Sequence, residues 1–249
     1  MKQYLDLQRK ILGLSVYSLA SNDRVMTDGI LKFNLTEGFP LLTTKTINLK
    51  PILDELILFI KKDKEQWDNI MDDIMMDSIC SIVGKDFHKS FHTEEIPPDD
   101  MEAIREDYKY KLPRTLTKEE FEARLPKRYL NVVIKDFKSS NFFSEVPRLI
   151  AFDATLLQMI ASQVNMIPKV FTWIGESVYS NTTEVEQMKV QVERQPYPLP
   201  QLFINPNVKS ITDYTSNDFQ LYNYESHPTF RCQQHINRVD KGDYPGLYI

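Results

Sequence analysis

Gly38-Phe39-Pro40-Leu41-Leu42-Thr43-Thr44-Lys45 is the stretch on which the reading of this chain turns. Upstream of it, Ile30, Leu31, Phe33 and Leu35 are apolar and β-prone, and Gly38 and Pro40 supply turn chemistry. Residues 30–45 therefore read as strand, turn and strand. Downstream, Asn48 can cap a helix, and Pro51 falls in its first turn, where a missing N–H breaks no helical bond. Ile52, Leu53, Leu56, Ile57, Leu58, Phe59 and Ile60 make that helix apolar nearly all round, as a buried helix is.

Working outward, Tyr4, Leu7, Ile11 and Leu14, joined by Val16 and Leu19, recur at helical spacing, which predicts an amphipathic N-terminal helix. Tyr129 to Phe137 reads as a strand, Ile150 to Met166 as an apolar helix stopped by Pro168, and Val170 to Tyr179 as another strand. Thr182 to Arg194 reads as a helix capped by its threonine, and Leu202 to Ile204 as a short strand. The class is α+β, in a single domain spanning 1–249. Between His92 and Arg128 the character changes: Pro97-Pro98-Asp99-Asp100, Pro113, Pro126 and dense mixed charge mark residues 92–128 as a charged surface insert.

The 249 residues, 42% apolar and 26% charged, suffice for a full core. A net charge of −5 with interspersed signs argues against a nucleic-acid surface. No apolar run approaches the roughly 18 residues of a membrane span, and Met1-Lys2-Gln3 does not begin a signal peptide. A cytoplasmic protein is expected. Cys80 and Cys232, the two cysteines, have neither metal nor disulfide-framework spacing and read as free thiols. Four histidines lack metal spacing as well, so no metal is expected. Only 7 glycines are present, which speaks mildly against a phosphate-cradling loop, although a biased genome gives the same count.

Three groups of motifs, in order, resemble thymidylate synthases and the related pyrimidine nucleotide hydroxymethylases. The first is Phe33-Asn34-Leu35, the Gly38 to Lys45 stretch and Asp54-Glu55-Leu56. The second is Pro147 to Gln163 running into Phe171-Thr172 and Val178-Tyr179-Ser180-Asn181. The third is Pro196-Tyr197-Pro198-Leu199-Pro200, Ser210 to Tyr214, Asp218-Phe219 and Tyr224-Glu225-Ser226-His227-Pro228. The resemblance implies a mixed six-stranded sheet flanked by helices, and a homodimer formed through the sheet face. It also implies a deoxyuridylate pocket beneath a folate.

In that family a cysteine in an A-P-C-H stretch adds as thiolate to the pyrimidine ring, activating the neighbouring carbon toward the folate methylene. No cysteine lies between Gly84 and Phe137 here. Cys80, among Ile79, Ile82 and Val83, reads as core, and Cys232 lies near the tail that closes over the site in the family. Glu55 matches the catalytic glutamate. On a helical wheel it sits at the edge of the apolar face, where burial would raise its pKa. The resemblance further assigns a nucleotide-binding remnant of Arg24, Lys138, Ser139, Asn141 and Tyr179. Around these residues the pattern departs from the family: Lys138 stands for an arginine, Leu149 for the asparagine that reads the base, Trp173-Ile174 for a glycine pair and Ser177 for a histidine. Arginine to lysine at a bidentate phosphate site is not conservative. The folate-packing motifs are represented by Met75-Met76-Asp77 and Val83 to His88.

The sequence is therefore identified as a degenerate member, a pseudoenzyme serving as a dimeric binding or structural protein, with no cofactor. The charged insert 92–128 is its candidate docking surface for another protein. The alternative is an active methyl- or hydroxymethyltransferase on deoxyuridylate or deoxycytidylate, using methylenetetrahydrofolate through a rearranged site.

Overall fold

The computed structural model describes residues 1–14, 28–76 and 80–230, together with the backbone of 23–26. In chain order these form α1 (Lys2–Gly13), β1 (Asp23–Met26), β2 (Gly29–Asn34), α2 (Leu49–Lys61), α3 (Lys64–Met75), β3 (Cys80–Val83) and β4 (Phe87–Glu95). There follow α4 (Pro98–Lys111), α5 (Lys118–Arg124), β5 (Arg128–Asn141), α6 (Val146–Gln163), β6 (Ile167–Asn181), α7 (Val185–Glu193), β7 (Gln201–Ile204) and β8 (Phe219–Tyr222).

Six strands make one mixed sheet in the order β1-β6-β5-β4-β3, with β2 also pairing with β6. The long strand β6 accommodates both partners end to end, β2 against Val170–Gly175 and β1 against Val178–Asn181. Among the described strands of this sheet only β5 and β6 run parallel. Parallel neighbours need a crossover, and α6 supplies it. Twelve of its residues are buried, including Ile150, Leu156, Leu157 and Ile160. Fully burying a Leu or Ile side chain contributes about 1.5–3 kcal/mol, so α6 organises the core. On β5, Leu130, Val132 and Ile134 alternate toward α6 as period-two residues must. Among the described residues no helix is long and apolar enough to cross a membrane.

The decisive stretch departs from its expected form. After β2 the chain makes a short 3-10 turn at Leu35–Glu37, and residues 38–45 form no strand, although all eight are buried. Their polar groups are satisfied by the far end of the chain. The Phe39 N–H donates to Pro200 O (2.8 Å) and the Tyr224 hydroxyl to Leu42 O (2.8 Å). His227 N–H donates to Thr43 O (2.8 Å) and the Arg194 guanidinium to Thr44 O (2.6 Å). Gly38 has φ 138°, and a Cβ there would fall 2.6 Å from Leu199 Cβ, so no other residue fits. A buried segment whose hydrogen bonds go to side chains and turns has no need of a strand partner.

Other boundaries move for local reasons. The side chain of Asn48 accepts from Lys50 N (3.1 Å) as a cap, but α2 exposes Asp54, Glu55 and Leu58 and is buried on one side only. The helix α6 begins at Val146, with Pro147 in its first turn, and ends at Gln163, two residues before Asn165 takes φ 51°. Pro168 lies in β6. Thr182–Glu184 is a 3-10 turn, fastened by Glu184 accepting from Asn181 N (3.2 Å), and the α-helix starts only at Val185. The charged stretch 92–128 begins inside β4, whose residues 92–95 pair with Arg128–Asn131, and its two helices bury no residue fully, with Met101, Ile104, Tyr108 and Phe121 half-buried. Val16 and Leu19 lie outside the described residues.

Candidate functional site

Between α2 and α6, over strands β4, β5 and β6, lies a pocket of about 710 Å³. Its walls are aromatic. The Phe59 ring, on α2, lies 6.2 Å from Phe87 and 5.8 Å from Phe152 between centroids, and Trp173 of β6 lines the same space. Trp173 is wholly buried, and Gly175 makes room for it: a Cβ there would sit 2.4 Å from Cη2 of the indole. Among the described residues the indole Nε1–H has no hydrogen-bond partner.

Three buried charged side chains also line the pocket, each from a different element. Lys89 of β4 is ion-paired with Asp153 of α6, and Asp136 of β5 lies near both. Asp136 is held by the Ser140 hydroxyl (2.8 Å) and the Lys138 N–H (3.2 Å). Burial pushes the Asp153 pKa up; the Lys89 ammonium opposes this and the Asp136 charge adds to it. Burial raises Asp136 too, against its hydrogen bonds and the Lys89 charge. One buried ammonium thus serves two buried acids.

At the pocket's exposed edge Glu55 is ion-paired with Arg148, and both side chains are about half exposed, so the pair contributes roughly 0–1 kcal/mol. The burial expected of Glu55 is therefore absent: one turn of α6 brings a guanidinium to it instead. Lys61, Lys62 and Lys138 add three exposed cations to the lining.

Of the residues singled out in the sequence, Glu55 and Lys138 come together in this pocket, and Leu149 and Trp173 line it with them. Ser139, Asn141 and Tyr179 do not line it. Ser139 takes a hydrogen bond from Ser177 (3.2 Å). Asn141 is buried, donating to Glu184 (2.9 Å) and accepting from Ser144 N (2.9 Å), so it fastens the β5–α6 turn to the end of β6. Tyr179 lies half-buried on β6, its carbonyl accepting from Phe142 N (2.8 Å). Arg24 lies in β1 opposite Ser180, and its side chain is outside the described residues, as are Asp77 and Cys232.

A folate shelf is not present in the expected form. Met75 and Met76 end α3 with 55% and 77% exposure, Val83 is 70% exposed, and of the described residues of these two motifs only Asp86 and Phe87 reach the pocket. Met75, Met76 and Val83 face outward and so do not form the shelf expected of these motifs.

Sequence reasoning missed Lys89, Asp136, Arg148 and Asp153. A signal existed: Asp153 is a lone acid inside the apolar run of α6, Asp136 continues the inward alternation of Leu130, Val132 and Ile134, and Lys89 alternates with Phe91. Among the described residues no group of three or more His, Cys, Asp or Glu is placed to hold a metal ion.

Comparison with known proteins bears on the whole chain. The thymidylate synthase profile matches residues 2–76 and 112–236, so β3, β4 and α4, with Lys89 among them, fall between the matched segments. Three curated relatives from Coxiella burnetii, of strains Dugway 5J108-111, RSA 331 / Henzerling II and RSA 493 / Nine Mile phase I, are each named thymidylate synthase. Each is 31% identical over 265 positions, covering 93% of this chain and 98% of the relative. With that coverage, on a mixed sheet crossed by one buried helix, the chain belongs to the thymidylate synthase family.

Proposed function

We propose that this member has lost the synthase reaction and serves as a dimeric binding protein, with the pocket between α2 and α6 retained as its ligand site. One observation carries the reading: among the described residues no cysteine lines that pocket. Cys80 sits on β3, buried, with burial and then the Asp73 charge pushing its thiol up to about 11. Only about one part in ten thousand of such a thiol is thiolate at pH 7, and the thiolate is the nucleophile. Glu55 engaged by Arg148, and an apolar Leu149 where a base would be read, agree with this.

The dimer reading rests on the sheet face turned away from α6. There Ile30, 62% exposed, pairs across strands with Ile174, and Val133 lies beside Thr172. A second copy would cover this face, leaving the outward helices α4 and α5 free for another protein. The alternative, an active pyrimidine nucleotide methyl- or hydroxymethyltransferase using methylenetetrahydrofolate, draws on Glu55 and Lys138 lining one pocket.

The assay is tritium release from deoxyuridylate labelled at ring position 5, in the presence of methylenetetrahydrofolate. We expect release at the level of the enzyme-free blank. Turnover that disappears in Cys232→Ser would overturn the reading and make that cysteine the nucleophile.

A further inference from the structure

The pocket carries an unused set of polar groups. Each Asp136 oxygen accepts one hydrogen bond from the protein, from Ser140 or from Lys138 N–H, whereas a carboxylate offers about four lone-pair positions. The ammonium that would otherwise satisfy it, Lys89, is bound to Asp153. On the adjacent strand Trp173 pairs in register with Ile134, two residues from Asp136 and on the same face, and its indole N–H is buried without a partner among the described residues. A buried donor left unsatisfied costs about 1–3 kcal/mol, so a ligand that supplies an acceptor there gains from it.

The complement is a planar edge that presents one acceptor to Trp173 and two adjacent donors to Asp136. A carbonyl, a ring N–H and an exocyclic amine in sequence have that pattern. The rings of Phe59, Phe87 and Phe152 suit a flat heterocycle, and Lys61, Lys62 and Lys138 suit an acidic tail. Uracil, with a single N–H between two carbonyls, turns an acceptor toward the Asp136 carboxylate.

We propose that this pocket binds a guanine nucleotide monophosphate, with the ring N–H and exocyclic amine on Asp136, the carbonyl on Trp173 Nε1–H and the phosphate at Lys61, Lys62 and Lys138. The proposal rests on the reading that the pocket binds a ligand without synthase chemistry, and Lys89 and Asp153 serve it by keeping Asp136 free.

The test is calorimetric titration of the full chain with deoxyguanylate, deoxyinosinate, which lacks only the amine, and deoxyuridylate. Deoxyguanylate should bind about ten- to hundredfold more tightly than deoxyinosinate, the range expected for one hydrogen bond to a charged group. Deoxyuridylate should bind more weakly than either. Asp136→Asn should erase the difference between the two purines, and the wild-type comparison stands even if that variant does not fold. Equal affinities for deoxyguanylate and deoxyinosinate, or tighter binding of deoxyuridylate, would overturn the proposal. Folic acid, whose pterin bears the same edge on an acidic tail, is a second arm; a tenfold preference for it over deoxyguanylate would overturn the nucleotide assignment. Failure here with no tritium release leaves the loss of synthase activity standing, so the two readings fail separately.

Discussion

The ammonium of Lys89 on β4 is ion-paired with the carboxylate of Asp153 on α6, with side chains only 6% and 4% exposed. The residues are 64 positions apart in the chain, and the contact ties a strand outside the family-matched segments to the central helix inside them. Two buried charges lose much of their hydration, and the attraction between them offsets that loss only while both are present. Asp136 adds a second acid to the same ammonium.

Lys89→Met should therefore destabilise the protein by about 3–5 kcal/mol, because it strands a buried carboxylate. The measurement is urea denaturation followed by circular dichroism. The double variant Lys89→Met/Asp153→Leu should recover most of the loss, since an apolar pair of similar volume needs no hydration. The damage in the single variant should grow as the pH rises above the ordinary carboxylate range, because burial holds the Asp153 and Asp136 pKa values up. An acid whose folded pKa lies above its unfolded one holds its proton only in the folded state, so stability falls as pH rises through that window. A single-variant loss below about 1 kcal/mol would show the pair to be dispensable.

Lys45 gives a pH dependence of opposite sign. It is buried, donates to Phe143 O, lies 3.9 Å from the Phe143 ring centroid, and burial lowers its pKa to about 8, against the pull of Glu184. Between about pH 8 and 10.5 the unfolded chain keeps this proton and the folded chain does not, so this group makes stability rise with pH. Cys80 acts the other way between 9 and 11, because its folded thiol keeps the proton. The contribution of Lys45 is thus read by difference: from pH 8 to pH 9 the wild type should gain stability relative to Lys45→Met. Parallel melting curves for the two proteins over that interval would refute it.

Oligomeric state is the third expectation. Light scattering should give twice the 29.2 kDa chain mass at micromolar concentration. Ile30→Asp places a charge on the exposed sheet face, at its edge strand β2, and should shift the population to monomer with little change in circular dichroism. A monomeric wild type would remove the dimer from the proposal.

Local patterns in the sequence sufficed for the main elements around the core. Period-two alternation in β5 and β6, the Asn48 cap of α2 and the apolar run of α6 are properties of consecutive residues, and each element forms where its pattern lies. The order of the motifs was enough to indicate the family. Glu55 and Lys138, which line one pocket, were singled out because both lie within family-like motifs.

What local pattern does not contain is pairing. Residues 38–45 look like a strand until Tyr224, His227 and Arg194, some 150 to 180 positions away, take up their backbone carbonyls. Lys89, Asp136 and Asp153 each occupy an inward position of a different element, where an isolated charge is costly. Only the register of β4 on β5, and the seat of α6 across them, brings the three charges together. The sequence by itself determined which elements form and to which family they belong. The tertiary structure decided which buried charges meet, because the Coulomb energy that makes their burial tolerable depends on distances between elements far apart in the chain.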